Sequence, residues 1–121
     1  MHESATGDKR FESAITDRMS KVFPRGVENA SLKDFNGLPA DGVLVKQSNN
    51  LVLATGMNKG NVIVACQGMR VHNFLQYRYA RESRDTPQLD LVVWNGTAYR
   101  EVTASPPDHR FGVNFGDYPP K

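Results

Sequence analysis

The sequence has little of what several common protein classes require. Its 121 residues include one cysteine, Cys66, so an internal disulfide cannot form and no cysteine metal cluster is available. No apolar run is long enough to span a membrane. The N-terminus lacks a basic segment followed by an apolar core, which predicts no signal peptide. These absences are compatible with two alternatives, a cytoplasmic protein and a piece excised from a larger, periplasmic one.

A concentrated positive charge is also missing. Fifteen Lys and Arg stand against 13 Asp and Glu, and the basic residues are scattered through the chain. The nearest approach to a basic stripe is Arg78, Arg81 and Arg84, which Glu82 and Asp85 interrupt. Since phosphate neutralisation normally needs clustered Lys or Arg, this pattern favours a solvated helix face and predicts no nucleic-acid partner.

Groups with the spacing of a catalytic or metal site are missing as well. His2, His72 and His109 lie far apart, and none stands at a ligand spacing from another His, Cys or carboxylate. Three serines, Ser48, Ser83 and Ser105, lie in turn contexts without a Gly-x-Ser-x-Gly elbow. The turn Gly56–Gly60 lacks the Gly-Lys-Ser/Thr ending of a nucleotide-binding loop. We therefore expect no enzyme, no metal and no cofactor.

The strongest structural signals that are present fall between Gly56 and Arg81. The β-branched run Val62–Cys66 is bounded by Gly and Asn turns, which predicts a buried strand with an inert thiol at its end. Asn73 is a good helix N-cap, and apolar residues recur every three to four positions after it. The centre of the chain is thus predicted to be a strand, a tight turn and a helix over 73–83.

The remaining segments complete an α+β domain of five to six short strands and two to three helices. Asn95-Gly96 is a strong hairpin signal, because both residues tolerate positive φ. Residues 1–20 are predicted to be a flexible or short helical extension, and 21–121 the domain, with its core over 42–104. The other predicted elements are strands at 42–47, 89–94, 97–103 and 110–115, short helices at 29–37 and 51–55, and a tail at 117–121.

Several of these motifs follow one another in the order and at the spacing of a known family. They are Gly42-Val-Leu-Val-Lys-Gln47, the turn ending Ala54-Thr-Gly56, Met57-Asn-Lys-Gly60-Asn-Val-Ile-Val-Ala-Cys-Gln-Gly68, the helix, and Leu89–Trp94 with Asn95-Gly96. Over residues 42–104 the chain resembles a PDZ domain, most closely the bacterial HtrA/Deg-like type. It departs from the family at Gly60-Asn61, usually Gly-Asp, and at Gln67-Gly68, usually Asn-Gly, and both changes keep the turn geometry. The resemblance implies a small antiparallel β-barrel or sandwich.

The resemblance also implies a function. A PDZ domain binds a partner's extended peptide, usually a protein C-terminus, in a groove between a strand and the second helix, here 73–83. The peptide adds a strand to the sheet, and an apolar-Gly-apolar loop turns its backbone N–H groups toward the terminal carboxylate. We expect a non-catalytic module of this kind. The alternative is a structural or self-association domain whose groove is occupied or idle.

Two segments compete for the carboxylate-binding loop. Phe111-Gly112-Val113 has the apolar-Gly-apolar pattern and follows His109 and Arg110, so the chain would be a permuted PDZ domain whose binding strand comes last. Lys21–Val27 occupies the usual bacterial position, but it lacks the Gly pattern, and Pro24 removes an N–H group. We favour the first, and its predicted site residues are Arg110, Phe111, Gly112, Val113, Asn114 and Phe115.

The helix is expected to supply the other wall of the groove. Counting from Gly68 along the family pattern assigns this wall to Gln76, Ala80, Ser83 and Arg84. Gln76 stands where some PDZ domains have a His that binds a ligand hydroxyl, and an amide can still donate and accept hydrogen bonds. The aromatic residues Phe74, Tyr77 and Tyr79 are expected in the core or at the rim.

Overall fold

Six strands and two complete helices make up the computed structural model, which describes residues 21–120. The helix considered for the first 20 residues lies outside that range. Short 3-10 turns occur at Leu32–Asp34 and Pro107–His109. In chain order the elements are β1 (Gly42–Val45), α1 (Asn50–Ala54), β2 (Val62–Cys66), β3 (Met69–Arg70), α2 (Phe74–Arg81), β4 (Leu89–Trp94), β5 (Tyr99–Ala104) and β6 (Phe115–Tyr118).

All six strands belong to one antiparallel sheet. Its order is β5-β4-β2-β1-β6, and the two-residue strand β3 pairs with β2. Every residue of β2 is buried, as its unbroken β-branched run predicts for a central strand. The first and last strands of this order form the two edges. The predicted α+β class, with five to six strands and two to three helices, is therefore confirmed.

The local signals at the hairpin and at the second helix are confirmed. Gly96 has a φ of +98°, and the Asn95 side chain accepts hydrogen bonds from the N–H groups of Thr97 and Ala98, both at 2.9 Å. This turn joins β4 to β5. At the start of α2, the Asn73 side chain accepts from the Gln76 N–H at 2.9 Å, as an N-cap does.

The last strand lies further along the chain than predicted. Residues 110–114 form a loop, which we call the 110–114 loop, and the strand occupies Phe115–Tyr118, partly in the predicted tail. Gly112 has a φ of +73°, which an extended strand does not allow. The helix predicted over 29–37 is likewise only a 3-10 turn, and β3 was not predicted because two residues carry no periodicity.

The two faces of the sheet are covered differently. One face packs against α1, α2 and the 110–114 loop, and its core contains Tyr77 and Phe111, both at most 1% exposed. The other face is smaller and is covered by the chain around Ala30–Phe35. Cys66 is buried at the end of β2, and burial raises the pKa of its thiol to about 12, which keeps the thiol protonated.

Candidate functional site

The strand β6 lies at an edge of the sheet and is paired on one side only. It runs antiparallel to β1, with Val45 opposite Phe115 and Val43 opposite Asp117. No other strand of the described chain lies beyond it. An unpaired strand edge presents a row of backbone N–H and C=O groups to whatever lies next to it.

Hydrogen bonds on β1 determine which groups of β6 face outward. The Val45 N–H donates to the Asn61 carbonyl at 2.9 Å, and the Val45 carbonyl accepts from the Gly60 N–H at 2.8 Å, both on the β2 side. Phe115, opposite Val45, therefore belongs to a non-hydrogen-bonded pair. Since such pairs alternate along an antiparallel ladder, the backbone groups of Phe115 and Asp117 point away from β1. We call these groups the open edge of β6.

The helix α2 lies beside β6. The Phe74 ring stacks on the Phe115 ring with centroids 6.2 Å apart, and the Tyr77 ring lies 5.3 Å from Phe115. The Phe74 N–H donates to Asp117 Oδ1 at 2.9 Å, which gives one of the free N–H groups at the helix start a negatively charged partner. The start of α2 is thus attached to the end of β6.

The other end of α2 approaches the chain before β6. Arg110 lines a cavity of about 690 Å³ together with side chains from the second half of the helix and the residues after it, among them Arg78, Arg81 and Ser83. Because the helix starts near Asp117 and ends near Arg110, α2 and the segment 110–118 run in opposite directions. A helix packed next to an edge strand is a common arrangement in peptide sites.

The 110–114 loop is held firmly from inside. The Phe111 side chain is 1% exposed, and its carbonyl accepts a hydrogen bond from Asn49 Nδ2 at 2.7 Å. The Asn114 N–H donates to Gln47 Oε1 at 3.1 Å. Between these anchors, the N–H groups of Phe111, Gly112 and Val113 donate to no acceptor in the described chain. Successive free N–H groups around a positive-φ glycine make a concavity suited to an anion.

The positions predicted for Gln76 and Ala80 need correction. Ala80 is fully buried, and Gln76 is 5% exposed with both ends of its amide in use. Gln76 Nε2 donates to the Val22 carbonyl at 2.9 Å, and its Oε1 accepts from the His72 N–H at 2.7 Å. These side chains face the interior, so they do not line a groove beside β6. The residues that face β6 are Phe74 and Tyr77.

Ser83 and Arg84 occupy different surroundings. Ser83 lines the same cavity as Arg110, and its hydroxyl donates to the Ala80 carbonyl at 2.6 Å. Arg84 is directed toward β4, where it binds Asp90 Oδ2 at 3.2 Å and the Gln67 carbonyl at 3.1 Å. Ser83 therefore lies near Arg110 and Arg84 lies near β4, and the assignment of both residues to a peptide-binding wall stays a prediction.

The competing segment, residues 21–27, also lies against α2, and its Val22 lines the same cavity as Arg110. The Phe23 ring meets the Tyr79 ring edge-on at 5.4 Å. The chain then continues into Glu28, whose carbonyl accepts from the Arg70 N–H on β3 at 2.8 Å. Nothing in these contacts brings the segment to the open edge of β6, whereas Phe115 itself belongs to that edge.

A charged cluster that the sequence analysis missed joins β3, the start of α2 and the chain before β1. His72 Nδ1 lies 2.7 Å from Asp41 Oδ1, and His72 Nε2 lies 3.1 Å from Glu28 Oε1. Arg70 Nη2 pairs with the same Asp41 oxygen at 2.6 Å. The partners are 29 to 44 residues apart, so no local spacing could indicate them. Within residues 21–120 no group of three His, Cys, Asp or Glu side chains is arranged for a metal ion.

The Asn49 side chain makes two hydrogen bonds, and its replacement tests how much the one to the 110–114 loop contributes to stability. Its side chain caps α1 by accepting from the Val52 N–H at 2.9 Å and also donates to Phe111. We expect Asn49→Ala to lower the free energy of unfolding by about 2 kcal/mol, since a cap and a hydrogen bond are both lost. Asn49→Ser keeps an acceptor for the cap but cannot reach Phe111, so about half of that loss should remain. Urea unfolding of the three proteins measures both values, and equal stability of Asn49→Ser and wild type would contradict the role of the Phe111 contact.

Comparison of the chain with protein-family models, with curated proteins and with solved structures finds no match in any of the three. The described helices are all too short or too polar to cross a bilayer. Function is therefore argued from the geometry of β6, α2 and the 110–114 loop.

Proposed function

We propose that this chain is a non-catalytic, PDZ-like module that binds an extended peptide, typically a protein C-terminus, by β-strand addition. The observation that carries the proposal is the open edge of β6, where the backbone groups of Phe115 and Asp117 point away from β1 and meet no other strand of the described chain. A peptide strand placed there would form main-chain hydrogen bonds with these groups, and α2 would contact its side chains.

The direction of the bound peptide follows from the direction of the elements. A strand added antiparallel to β6 runs the same way as α2, because α2 and the segment 110–118 are opposed. Its C-terminus then arrives at the 110–114 loop, where the N–H groups of Phe111, Gly112 and Val113 have no acceptor within residues 21–120. Those N–H groups would receive the terminal carboxylate, as the apolar-Gly-apolar pattern of the loop suggests.

The connectivity supports a permuted PDZ arrangement. In this proposal the carboxylate loop and the binding strand β6 come last along the chain, after the hairpin of β4 and β5. In the sheet, β6 lies next to β1. The rings of Phe74 and Phe115 are stacked near the start of α2, so a ligand side chain has no space between them. Ligand side chains therefore have most room along the second half of the helix.

The experiment compares two variants at Asp117. Both Asp117→Ala and Asp117→Pro lose the carboxylate that binds the Phe74 N–H, but only the proline loses the outward N–H of β6. Proline is tolerated on an edge strand when its missing N–H faces solvent, so both proteins should fold. Isotope-labelled protein is titrated with a pool of peptides that have random C-terminal residues, and backbone amide shifts are recorded.

We expect shifts over residues 111–117 and along α2 for wild type and for Asp117→Ala. Asp117→Pro should bind about tenfold more weakly, since one main-chain hydrogen bond contributes on the order of 1 kcal/mol and the proline ring also obstructs the ligand strand. Shifts confined to other surfaces would refute the proposal. If no peptide binds and the protein forms concentration-dependent dimers through β6, the self-association alternative is the better one.

A further inference from the structure

Three arginines line the same cavity over α2 as Val22, Leu75 and Ser83. Arg78 and Arg81 come from the helix, and Arg110 comes from the start of the loop. We call these residues the arginine cluster. Among residues 21–120, the only acidic residue that lines the same cavity is Glu82, which is exposed. Its Oε1 forms an ion pair with Arg81 Nε at 3.8 Å, a distance too long for a hydrogen bond, and three arginines against one glutamate leave an excess of positive charge among the described residues.

Arg81 is the least expected member of this cluster. The residue is 8% exposed, and its buried Nε atom has no hydrogen-bond partner within residues 21–120. Its guanidinium lies over the Tyr77 ring, with Cζ 5.4 Å from the centroid. A buried cationic donor without an acceptor is costly, whereas a carboxylate brought into the cavity would give it a charged, hydrogen-bonded partner.

We infer that the arginine cluster binds an acidic side chain of the peptide, so that the module selects C-terminal segments carrying Asp or Glu near their end. The inference rests on the proposed function and adds a specificity to it. Side chains of an added strand alternate, and every second one points to the same side. The terminal carboxylate goes to the free N–H groups around Gly112, and an acidic side chain one or a few residues earlier reaches Arg78 and Arg81.

The charge of the cavity also argues for this ligand chemistry. A carboxylate can take two parallel N–H donors from one guanidinium, and Arg is the residue that offers them in a fixed geometry. Arg78 is exposed and lies near the Phe74 ring, with Cζ 6.0 Å from its centroid, so its charged end remains available to a ligand. A neutral or basic peptide would leave the buried Arg81 donor unsatisfied.

The test uses peptides that differ in one carboxylate at a time. A peptide selected from the pool is made with Asp or Asn at each of its last few positions, and each form is made with a free or an amidated C-terminus. Binding is measured by fluorescence anisotropy to wild type, Arg78→Gln and Arg81→Gln. Arg100→Gln is the matched control, because Arg100 lies on β5 at the opposite edge of the sheet and donates to the Thr55 carbonyl.

We expect one Asp-to-Asn exchange to weaken binding about tenfold in wild type and to have little effect in Arg81→Gln. Arg100→Gln should bind as wild type does. Amidation should weaken binding in every variant by a similar factor. This result would distinguish the contribution of the terminal carboxylate to the affinity from that of the side-chain carboxylate. If amidation weakens binding and no Asp-to-Asn exchange does, the protein recognises the terminal carboxylate and no acidic side chain. The inference then fails, while the proposed function stands.

A small probe separates failure of the inference from failure of strand addition. Succinate is titrated into labelled protein, and the side-chain Nε–H signals of the arginines are followed. A succinate-dependent shift of Arg81 without any peptide effect at β6 would mean a carboxylate site that is not part of a peptide groove, and both proposals would be rejected as stated. The absence of any shift at Arg78 and Arg81, with peptide binding intact, would overturn the inference alone.

Discussion

Replacing Phe111 by alanine should lower the free energy of unfolding by about 3–5 kcal/mol. The Phe111 ring is 1% exposed and belongs to the main core, where its centroid lies 6.5 Å from that of Phe115. Removing the ring takes away its burial and leaves a cavity beneath the 110–114 loop. Urea unfolding followed by circular dichroism gives the loss directly.

The same deletion at Phe35 is the matched control for Phe111. Phe35 is half-buried on the smaller face of the sheet, next to Tyr99 at 5.2 Å, so Phe35→Ala should cost only about 1–2 kcal/mol. If Phe111→Ala is too unstable to study, Phe111→Leu keeps most of the volume and should remain folded. Equal losses at Phe111 and Phe35 would show that the loop is not anchored in the core. Peptide affinity should fall for Phe111→Leu and stay unchanged for Phe35→Ala.

Gly42→Ala should also be strongly destabilising, by about 1–3 kcal/mol. A Cβ atom on Gly42 would lie 2.7 Å from the Ile63 carbonyl oxygen and 2.7 Å from Val62 Cγ1, both on the neighbouring strand β2. The carbonyl belongs to the backbone of the central strand and cannot turn aside, so β1 must shift away from β2. Thermal and urea unfolding should both show the loss.

Gly116→Ala is the control for Gly42→Ala, because the two glycines lie on adjacent strands. A Cβ atom on Gly116 would meet only the flexible end of the Lys46 side chain, which can move at little cost. We expect a change within about 1 kcal/mol of wild type, since alanine also restricts the unfolded chain. A loss at Gly116 as large as that at Gly42 would mean that β6 is packed more tightly than its edge position suggests.

The elements that could be predicted are those with a local cause. The run Val62–Cys66, the Asn73 cap and the Asn95-Gly96 turn each determine the conformation of their own residues, and all three are confirmed. The strand at Phe115–Tyr118 has no such local signal. It forms because Phe115 and Asp117 pair with β1, a partner about 70 residues earlier. A sequence pattern that spans only a few residues cannot predict a contact between residues so far apart in the chain.

The candidate site was predicted in part for the same reason. The apolar-Gly-apolar pattern at Phe111-Gly112-Val113 is local, and the structure does place it immediately before an edge strand. The helix positions depended on a count from Gly68, and helix rotation is decided by which side chains enter the core. The buried side of α2 includes Gln76, Tyr77 and Ala80. The first helix residue whose side chain contacts β6 is Phe74. Only the three-dimensional structure shows that Arg81 Nε has no hydrogen-bond partner in the described part of the chain.

The long reach of the β1–β6 pairing has a consequence for how the sheet assembles. The closest pair, Val45 with Phe115, joins positions 70 residues apart, whereas Trp94 and Tyr99 in the hairpin are five apart. Loop closure by the long pairing costs about 2 kcal/mol more chain entropy than closure by the hairpin. The strand proposed to meet the ligand is thus the one whose docking costs the chain most freedom. A peptide that binds only when β6 is paired with β1 shifts the equilibrium between unpaired and paired β6 toward the paired state. Peptide binding therefore stabilises this end of the domain.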